Sequence, residues 1–135
     1  MKHLKSFFEN NEEPVINGLY IDDIREMFFD IEDEGYSVKV KLVNVFVNRA
    51  KQNETGNRVF KFELVPQFHI EITRNDLENL SQRQVQFAVE SLFNSDLLQE
   101  TIRVARLRLS EFNLEINQIY REYSQIRIIV SEINI

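Results

Sequence analysis

Residues 36–49, YSVKVKLVNVFVNR, and residues 58–73, RVFKFELVPQFHIEIT, are two long alternating segments joined by a polar connection that contains Gly56. Alternation with a period of two is typical of a β-strand with one buried face, and both segments are rich in β-branched and aromatic residues. The two segments therefore predict a long antiparallel β-hairpin. Its second strand carries large apolar side chains in phase on one face, at Phe60, Phe62, Leu64, Phe68, Ile70 and Ile72. These side chains are predicted to belong to the hydrophobic core.

Two features complicate the hairpin. After Leu42 the second face of the first strand also becomes apolar, at Val43, Val45 and Val47. Either a β-bulge switches the faces there, or the distal half of the strand is covered on both sides. Pro66 has no backbone N–H to donate to a ladder, so it marks an edge, a bulge or a division into two strands.

Helical patterns flank the hairpin. Before it, apolar residues at helical spacing, with Asp22 and Asp23 in the first turn and Gly35 as a C-terminal cap, predict a helix over 20–34. After it, residues 82–93 predict a helix that begins with a capping box from Ser81 to Gln84. Ser95 predicts the N-cap of a third helix.

The third helix is predicted to be long. A 4-3 repeat of apolar residues extends from Leu98 to Tyr123, which predicts a helix over 95–123 of about 42 Å. Its three central arginines, Arg103, Arg106 and Arg108, project in different directions, so they form no single basic strip. A second apolar group lies elsewhere on the cylinder and predicts a partner or oligomer surface; its members are Leu97, Val104, Leu107 and Leu114.

The chain ends in SQIRIIVSEINI, which alternates as a strand. The predicted fold class is therefore α+β, with an antiparallel sheet of three or four strands, helices mainly on one face and the order α-β-β-α-α-β. Residues 1–19 are predicted to be a polar N-terminal arm and residues 20–135 a single domain. Residues 13–18 leave open a short additional strand.

Composition excludes several classes of chemistry. The chain of 135 residues has no cysteine, so disulfides, thiolate catalysis and cysteine-ligated metals are absent. No apolar run reaches the roughly 18 residues of a membrane span. The net charge is −6 and it is uneven: residues 1–36 carry −7, residues 37–70 carry +4 and the remainder −3. An acidic chain is repelled by phosphate backbones, so nucleic acid is an unfavoured partner outside the basic middle segment.

No catalytic or cofactor signature is present, and we expect no enzyme activity, no cofactor and no metal. Three dispersed glycines build no phosphate loop, and no serine lies in a nucleophile elbow. His69 and Glu71 share a strand face, but two ligands are too few for a metal site, and a hydrogen-bonded strand histidine is the expected state. The acidic run Asp30–Glu34 is expected to be a solvated face or a docking surface for a basic partner.

The hairpin offers an alternative function, which is single-stranded nucleic-acid binding. Phe60 and Phe62 alternate on a strand as stacking residues do, and candidate phosphate contacts are Lys39, Lys41 and Lys61. The lysines alternate onto the face opposite the aromatic side chains, which favours core packing for the aromatics.

The opening MKHLKSFFENNEE, followed by IDDIREMFFDIEDEGYSVKV, resembles short uncharacterised proteins of large tailed bacteriophages. Those proteins begin with a charged arm, followed by a helix that ends in an acidic turn and a strand. The similarity covers about the first 40 residues and transfers no catalytic residue. It implies a phage-encoded accessory or virion protein in a bacterial host cytoplasm.

The resulting hypothesis is a non-enzymatic protein-interaction or assembly protein. It acts as a homo-oligomer, with a dimer favoured, or on another protein of the phage or its host.

Overall fold

The computed structural model describes residues 15–52, 54–74 and 80–133. In chain order these form β1 (Val15–Ile16), β2 (Leu19–Tyr20), α1 (Ile21–Glu26), α2 (Phe29–Asp33), β3 (Tyr36–Gln52), β4 (Arg58–Arg74), α3 (Gln82–Phe93), α4 (Asp96–Ser110), β5 (Leu114–Arg121) and β6 (Gln125–Glu132). The predicted α+β class is confirmed. Most of the predicted N-terminal arm, residues 1–14, lies outside the described residues.

The main sheet is antiparallel with the strand order β3-β4-β6-β5. The predicted long hairpin is confirmed as β3 and β4, which pair from Tyr36 with Arg74 to Gln52 with Arg58 in an unbroken register. No bulge therefore switches the faces of β3. The predicted C-terminal strand is confirmed as β6, which lies between β4 and β5.

The described helices lie on one face of this sheet, as predicted. Val38, Phe68, Ile70, Ile72, Ile126, Ile128 and Val130 face the helices from β3, β4 and β6, and they share one core cluster with buried residues of every helix. Burial of apolar surface in this single layer between sheet and helices supplies most of the folding free energy.

The first helical region differs from the prediction. Residues 21–33 form two short helices, because the backbone of Phe28 (φ −113°, ψ 17°) leaves the helical region between them. Ile24, Phe28 and Ile31 nevertheless all reach the core. Ahead of them, Asn17 and Gly18 both have positive φ and close the β1–β2 hairpin, which is the form of a two-residue turn that Asn-Gly favours.

The prediction of one long helix over 95–123 is wrong. Helix α4 ends at Ser110, and Leu114 begins a strand, so the order of elements includes an additional strand β5. Asn113 adopts a left-handed conformation (φ 61°) between the two elements. A register shift between Ile116 and Gln118 then places Leu114, Ile116 and Ile119 on the same face of β5. This spacing of two and three residues across a bulge imitates a helical pattern.

Candidate protein-binding surface

The outer half of the β3–β4 hairpin extends beyond the rest of the sheet. β6 pairs with β4 only from Phe68 to Thr73, so residues 43–52 and 58–67 pair only with each other. We call this two-stranded segment the distal ribbon. Nine residue steps at about 3.3 Å give it a length of about 30 Å.

The sequence of the distal ribbon explains why it pairs. Both strands are rich in β-branched and aromatic residues, and Gly56, at φ 82°, allows the chain to reverse between them. The Asn57 side chain donates to Thr55 Oγ1 at 3.2 Å within this turn. A hairpin of two strands is only marginally stable in water. A partner that covered one face of the distal ribbon would therefore stabilise it.

One face of the distal ribbon is aromatic and open to solvent. Phe46, Phe60 and Phe62 are 75%, 61% and 68% exposed, and Leu64 is 56% exposed. All four lie on the face that, nearer the core, carries Phe68 and Ile70. The prediction that Phe60, Phe62 and Leu64 belong to the core is therefore wrong, because none of the described helices reaches this part of the hairpin.

The apolar area of this face is comparable with that of the largest apolar patch on a typical monomer. At 150–250 Å² per buried aromatic side chain, the exposed parts of the three phenylalanines amount to about 400 Å². The largest apolar patch on a typical monomer spans about 300–600 Å² and is often functional. Single exposed apolar residues need no explanation, but a contiguous aromatic face of this area is a candidate binding surface.

The charged side chains of the distal ribbon lie mostly elsewhere. Lys61 and Glu63 are on the opposite face of β4. Arg58 shares the aromatic face, but it lies at the turn end of the strand. Between the turn and the helices, the described residues of the aromatic face are uncharged: Asn44, Phe46, Asn48, Phe60, Phe62, Leu64 and Pro66. Such a face suits an apolar protein surface better than a phosphate backbone.

The structure separates the four residues predicted as a partner surface. Val104 and Leu107 are exposed on α4, 40% and 59% respectively. Leu97 is half-buried and packs against the core. The prediction that Leu114 is a surface residue is wrong, because this side chain is 1% exposed on β5. The group predicted from a continuous helix does not exist as one surface, since the helix ends before Leu114.

Of the three lysines predicted as nucleic-acid contacts, Lys39 and Lys41 are neighbours on β3, and Lys61 lies far from both. Lys41 forms an ion pair with Glu71 (Nζ to Oε2, 3.4 Å), and Lys39 pairs with the same residue across the strands. Lys61 lies opposite Arg49, which is ten residues from Lys39 along β3, or about 33 Å. All three occupy the face opposite the aromatic side chains, as the sequence predicts.

His69 is a hydrogen-bonded strand histidine, as expected. Its Nε2 lies 3.1 Å from Gln67 Oε1. Partial burial lowers the pKa of His69, and the positive charges of Arg127 and Lys41 lower it further. Within the described residues, no three histidine or carboxylate side chains come together as a metal site would require.

The acidic residues of the first helices have structural partners. Glu32 accepts two hydrogen bonds from the Arg25 guanidinium at 3.0 and 3.1 Å. This contact raises the pKa of Arg25. Asp23 accepts a hydrogen bond from the backbone N–H of Tyr20 at 2.8 Å, which caps α1. At least these two carboxylates are therefore explained by helix packing.

The cavities near the described residues are small. One of about 90 Å³ lies where β6 ends, beside Val65, Gln67 and Ser131. Two others, of about 290 and 260 Å³, lie beside α4. All three are below the roughly 300–1,000 Å³ of typical small-molecule sites. Compared with these three cavities, the aromatic face of the distal ribbon is the stronger candidate for a binding site.

The sequence contains a signal for the exposed ribbon. A strand of 17 residues is about 56 Å long, whereas α4, with 15 residues, is about 22 Å long. Helices of that length cannot cover the whole hairpin. A helix of about 42 Å, as predicted from the 4-3 spacing, would have covered most of the strand, so the difference in length becomes evident only with the actual end of α4.

No helix among the described residues is both long enough and apolar enough to cross a membrane. Comparison with protein-family models, curated proteins and solved structures found no match.

Proposed function

We propose that this chain is a non-enzymatic protein-interaction or assembly protein and that the aromatic face of the distal ribbon is its contact surface. The observation that carries the proposal is the exposure of Phe46, Phe60 and Phe62 on one face whose only described charge is Arg58 at the turn end. Aromatic side chains are enriched at the centres of protein interfaces, where they contribute much of the binding energy. Val104 and Leu107 on α4 offer a smaller, separate surface.

Photo-crosslinking tests this proposal directly. A photoreactive benzoyl-phenylalanine replaces Phe62, and the matched control carries it at Phe87, which is 72% exposed on α3. In cells that make the chain, we expect irradiation to give a protein adduct from position 62. Adding Phe46→Asp and Phe60→Asp should abolish the adduct. The proposal fails if position 62 gives no more protein adduct than position 87.

The alternative function is single-stranded nucleic-acid binding, and the exposed Phe60 and Phe62 are the observation in its favour, since aromatic side chains on a strand can stack with bases. The position of Lys61 on the opposite face weighs against it. A mobility-shift assay with labelled RNA or DNA at low salt distinguishes the two. A shift that charge reversal at Lys39, Lys41 and Lys61 abolishes would favour the alternative.

The bacteriophage origin, with its setting in the host cytoplasm or the virion, stays a prediction from the N-terminal resemblance. The neighbouring genes test it: head and tail genes would indicate a role in assembly, and early genes a role in host takeover or counter-defence.

A further inference from the structure

The distal ribbon is the surface of the proposed function, and on that basis we propose that its partner is a second copy of this chain. The two ribbons lie antiparallel with their aromatic faces in contact, which makes a two-fold symmetric dimer. Four observations support this arrangement: the step beside the ribbon, the thickness of the layers, the distribution of charge and the apolar area.

The first observation is a step in the molecule where the helices end. Leu114 begins β5 opposite Glu132, and Asn113 accepts a hydrogen bond from the Ile133 N–H at 3.0 Å, so the α4–β5 turn lies at the root of the ribbon. Asn17 Nδ2 donates to the Phe112 carbonyl at 3.0 Å, which fixes the β1–β2 turn at the same border. Beyond this border the sheet continues as the ribbon without a layer of described residues over its aromatic face.

The second observation is that a ribbon has the right dimensions for this step. Stacked sheets pack about 10 Å apart, so a second ribbon laid on the aromatic face occupies the same side of the sheet as the helices and begins where they end. Because the two ribbons are antiparallel and equal in length, the tip of each meets the border of the other copy. Phe112, 36% exposed, lies at that border and offers an apolar contact to the tip.

The third observation concerns charge. The whole chain carries −6, so two copies repel each other over most of their surface. Residues 43–67 carry four basic and two acidic side chains, or +2, which leaves −8 on the remainder. An antiparallel pair of ribbons places the tip of each basic ribbon at the border of the other copy's acidic body. Arg58 is the one described charged residue of the contact face, and its two copies lie at opposite ends of the paired ribbons, so no like charges are buried together there.

The fourth observation is the area. Stable interfaces of standard size bury about 800 Å² per partner. The exposed parts of Phe46, Phe60 and Phe62 supply about half of that from each copy. The rest is available from Leu64, the polar residues of the same face and the border around Phe112. An isologous contact of this type closes on itself and gives a dimer rather than a fibre.

Sedimentation of the purified chain between about 1 and 100 µM tests the dimer, a range in which interfaces of this size associate. We expect the unmodified chain to sediment as a dimer and the variant with Phe46→Asp and Phe62→Asp as a monomer. The matched control replaces two exposed phenylalanines outside the ribbon, Phe29→Asp and Phe87→Asp, and should remain a dimer. Circular dichroism should show that both variants remain folded, because all four side chains are more than half exposed.

Crosslinking of single-cysteine variants tests the arrangement, since the chain has no cysteine of its own. Asn48 lies opposite Phe62 near the middle of the aromatic face, so Asn48→Cys should be joined to its copy by a short bis-maleimide. Glu63→Cys, on the opposite face, should not. Arg58→Cys should not either, because the two tips are about 30 Å apart in an antiparallel pair. Crosslinking of Arg58→Cys together with failure of Asn48→Cys would overturn the arrangement.

A monomer across the whole concentration range would overturn the second-copy proposal, and so would a dimer that Phe46→Asp and Phe62→Asp leave intact. The photo-crosslinking experiment separates this failure from failure of the proposed function. An adduct of position 62 with a different protein supports the function and overturns the second copy. Adducts with nucleic acid overturn both.

Discussion

Asn113 determines where α4 stops and β5 starts. Its φ of 61° lies in the left-handed region, which glycine and asparagine tolerate and β-branched residues do not. The N–H groups of Phe112 and Asn113 donate to Leu109 and Ser110 in the final turn. Leu109 and Leu114, on either side of this reversal, are both buried, so the conformation cannot relax without cost to the core.

We therefore expect Asn113→Val to lower the free energy of unfolding by about 1–2 kcal/mol. Asn113→Gly should leave it unchanged or raise it slightly. Asn94, with an ordinary φ of −93°, is the matched control, and Asn94→Val should change stability by less than about 0.5 kcal/mol. Urea denaturation measures all three variants. Equal effects of valine at both positions would contradict the assigned role of Asn113.

His69 gives the fold a specific dependence on pH. Since burial and the charges of Arg127 and Lys41 lower its pKa below 6.5, the unfolded chain binds the proton more readily than the folded chain. The contribution of His69 to stability is therefore complete above about pH 6.5 and declines as the pH falls toward the lower pKa of the folded state. Glu71 acts in the opposite direction, but it is the smallest of the causes.

Replacement of His69 by Gln should reduce the difference in melting temperature between pH 7.5 and pH 5.5. Calorimetry or circular dichroism of both proteins at both pH values measures this difference. An unchanged difference would show that the two states bind the His69 proton equally well. The carboxylates titrate in both proteins, so their contribution cancels in the comparison.

Strand β4 contains two chemically identical side chains in opposite environments. Phe62 and Phe68 lie on the same face, six residues apart, yet Phe62 is 68% exposed and Phe68 is fully buried. The difference arises because the helices and β6 cover the strand only near Phe68. Position along the strand, and not the identity of the residue, decides what each phenylalanine contributes.

At a concentration where the chain is monomeric, Phe68→Ala should cost about 3–5 kcal/mol of stability, as for other buried phenylalanines. Phe62→Ala should cost less than about 1 kcal/mol, since little of its surface is buried. Denaturant titrations of both variants provide the measurement. A large loss from Phe62→Ala would mean that the distal ribbon packs against the chain's own core.

Local patterns in the sequence predicted the elements that depend on local chemistry. The Ser81 cap is present, with its hydroxyl oxygen accepting from the Gln84 N–H at 3.2 Å, and Ser95 caps α4 in the same manner. The β3–β4 pairing follows from alternation alone. The end of α4 was missed because Ile116 and Ile119, separated by a bulge, continued the 4-3 spacing; Asn113 was the available signal for a helix end.

The exposure of Phe46 and Phe62 was missed for a different reason. Alternation shows which side chains share a face, but it contains no information on how far the helices extend over that face. Burial along a strand depends on the lengths of other elements, and the 4-3 spacing predicts a helix that extends beyond the actual end of α4 at Ser110. The candidate site was therefore assigned to α4 when the larger apolar surface lies on the distal ribbon.

At the scale of the whole molecule, no described side chain of the distal ribbon belongs to the core cluster. No fully buried apolar residue of the described chain lies between Val38 and Phe68. We expect a variant in which a short glycine-containing turn replaces residues 44–66 to fold cooperatively, because every contact of the core is retained.

This truncated chain should keep its helical circular-dichroism signal, unfold in a single transition and remain monomeric. Thermal denaturation and sedimentation test the three statements together. Loss of cooperative unfolding would show that the ribbon is required for the core, which the burial pattern does not support.

The unbroken register of β3 and β4 limits the changes of ribbon length that keep the aromatic face intact. Adding or removing one residue in each strand of the ribbon would turn Phe46 and Phe62 to the other face. Adding two residues in each strand preserves the aromatic face and lengthens the ribbon by about 6.6 Å. In the proposed dimer, the separation of the two cores would therefore change only in steps of two residues per strand, or about 6.6 Å.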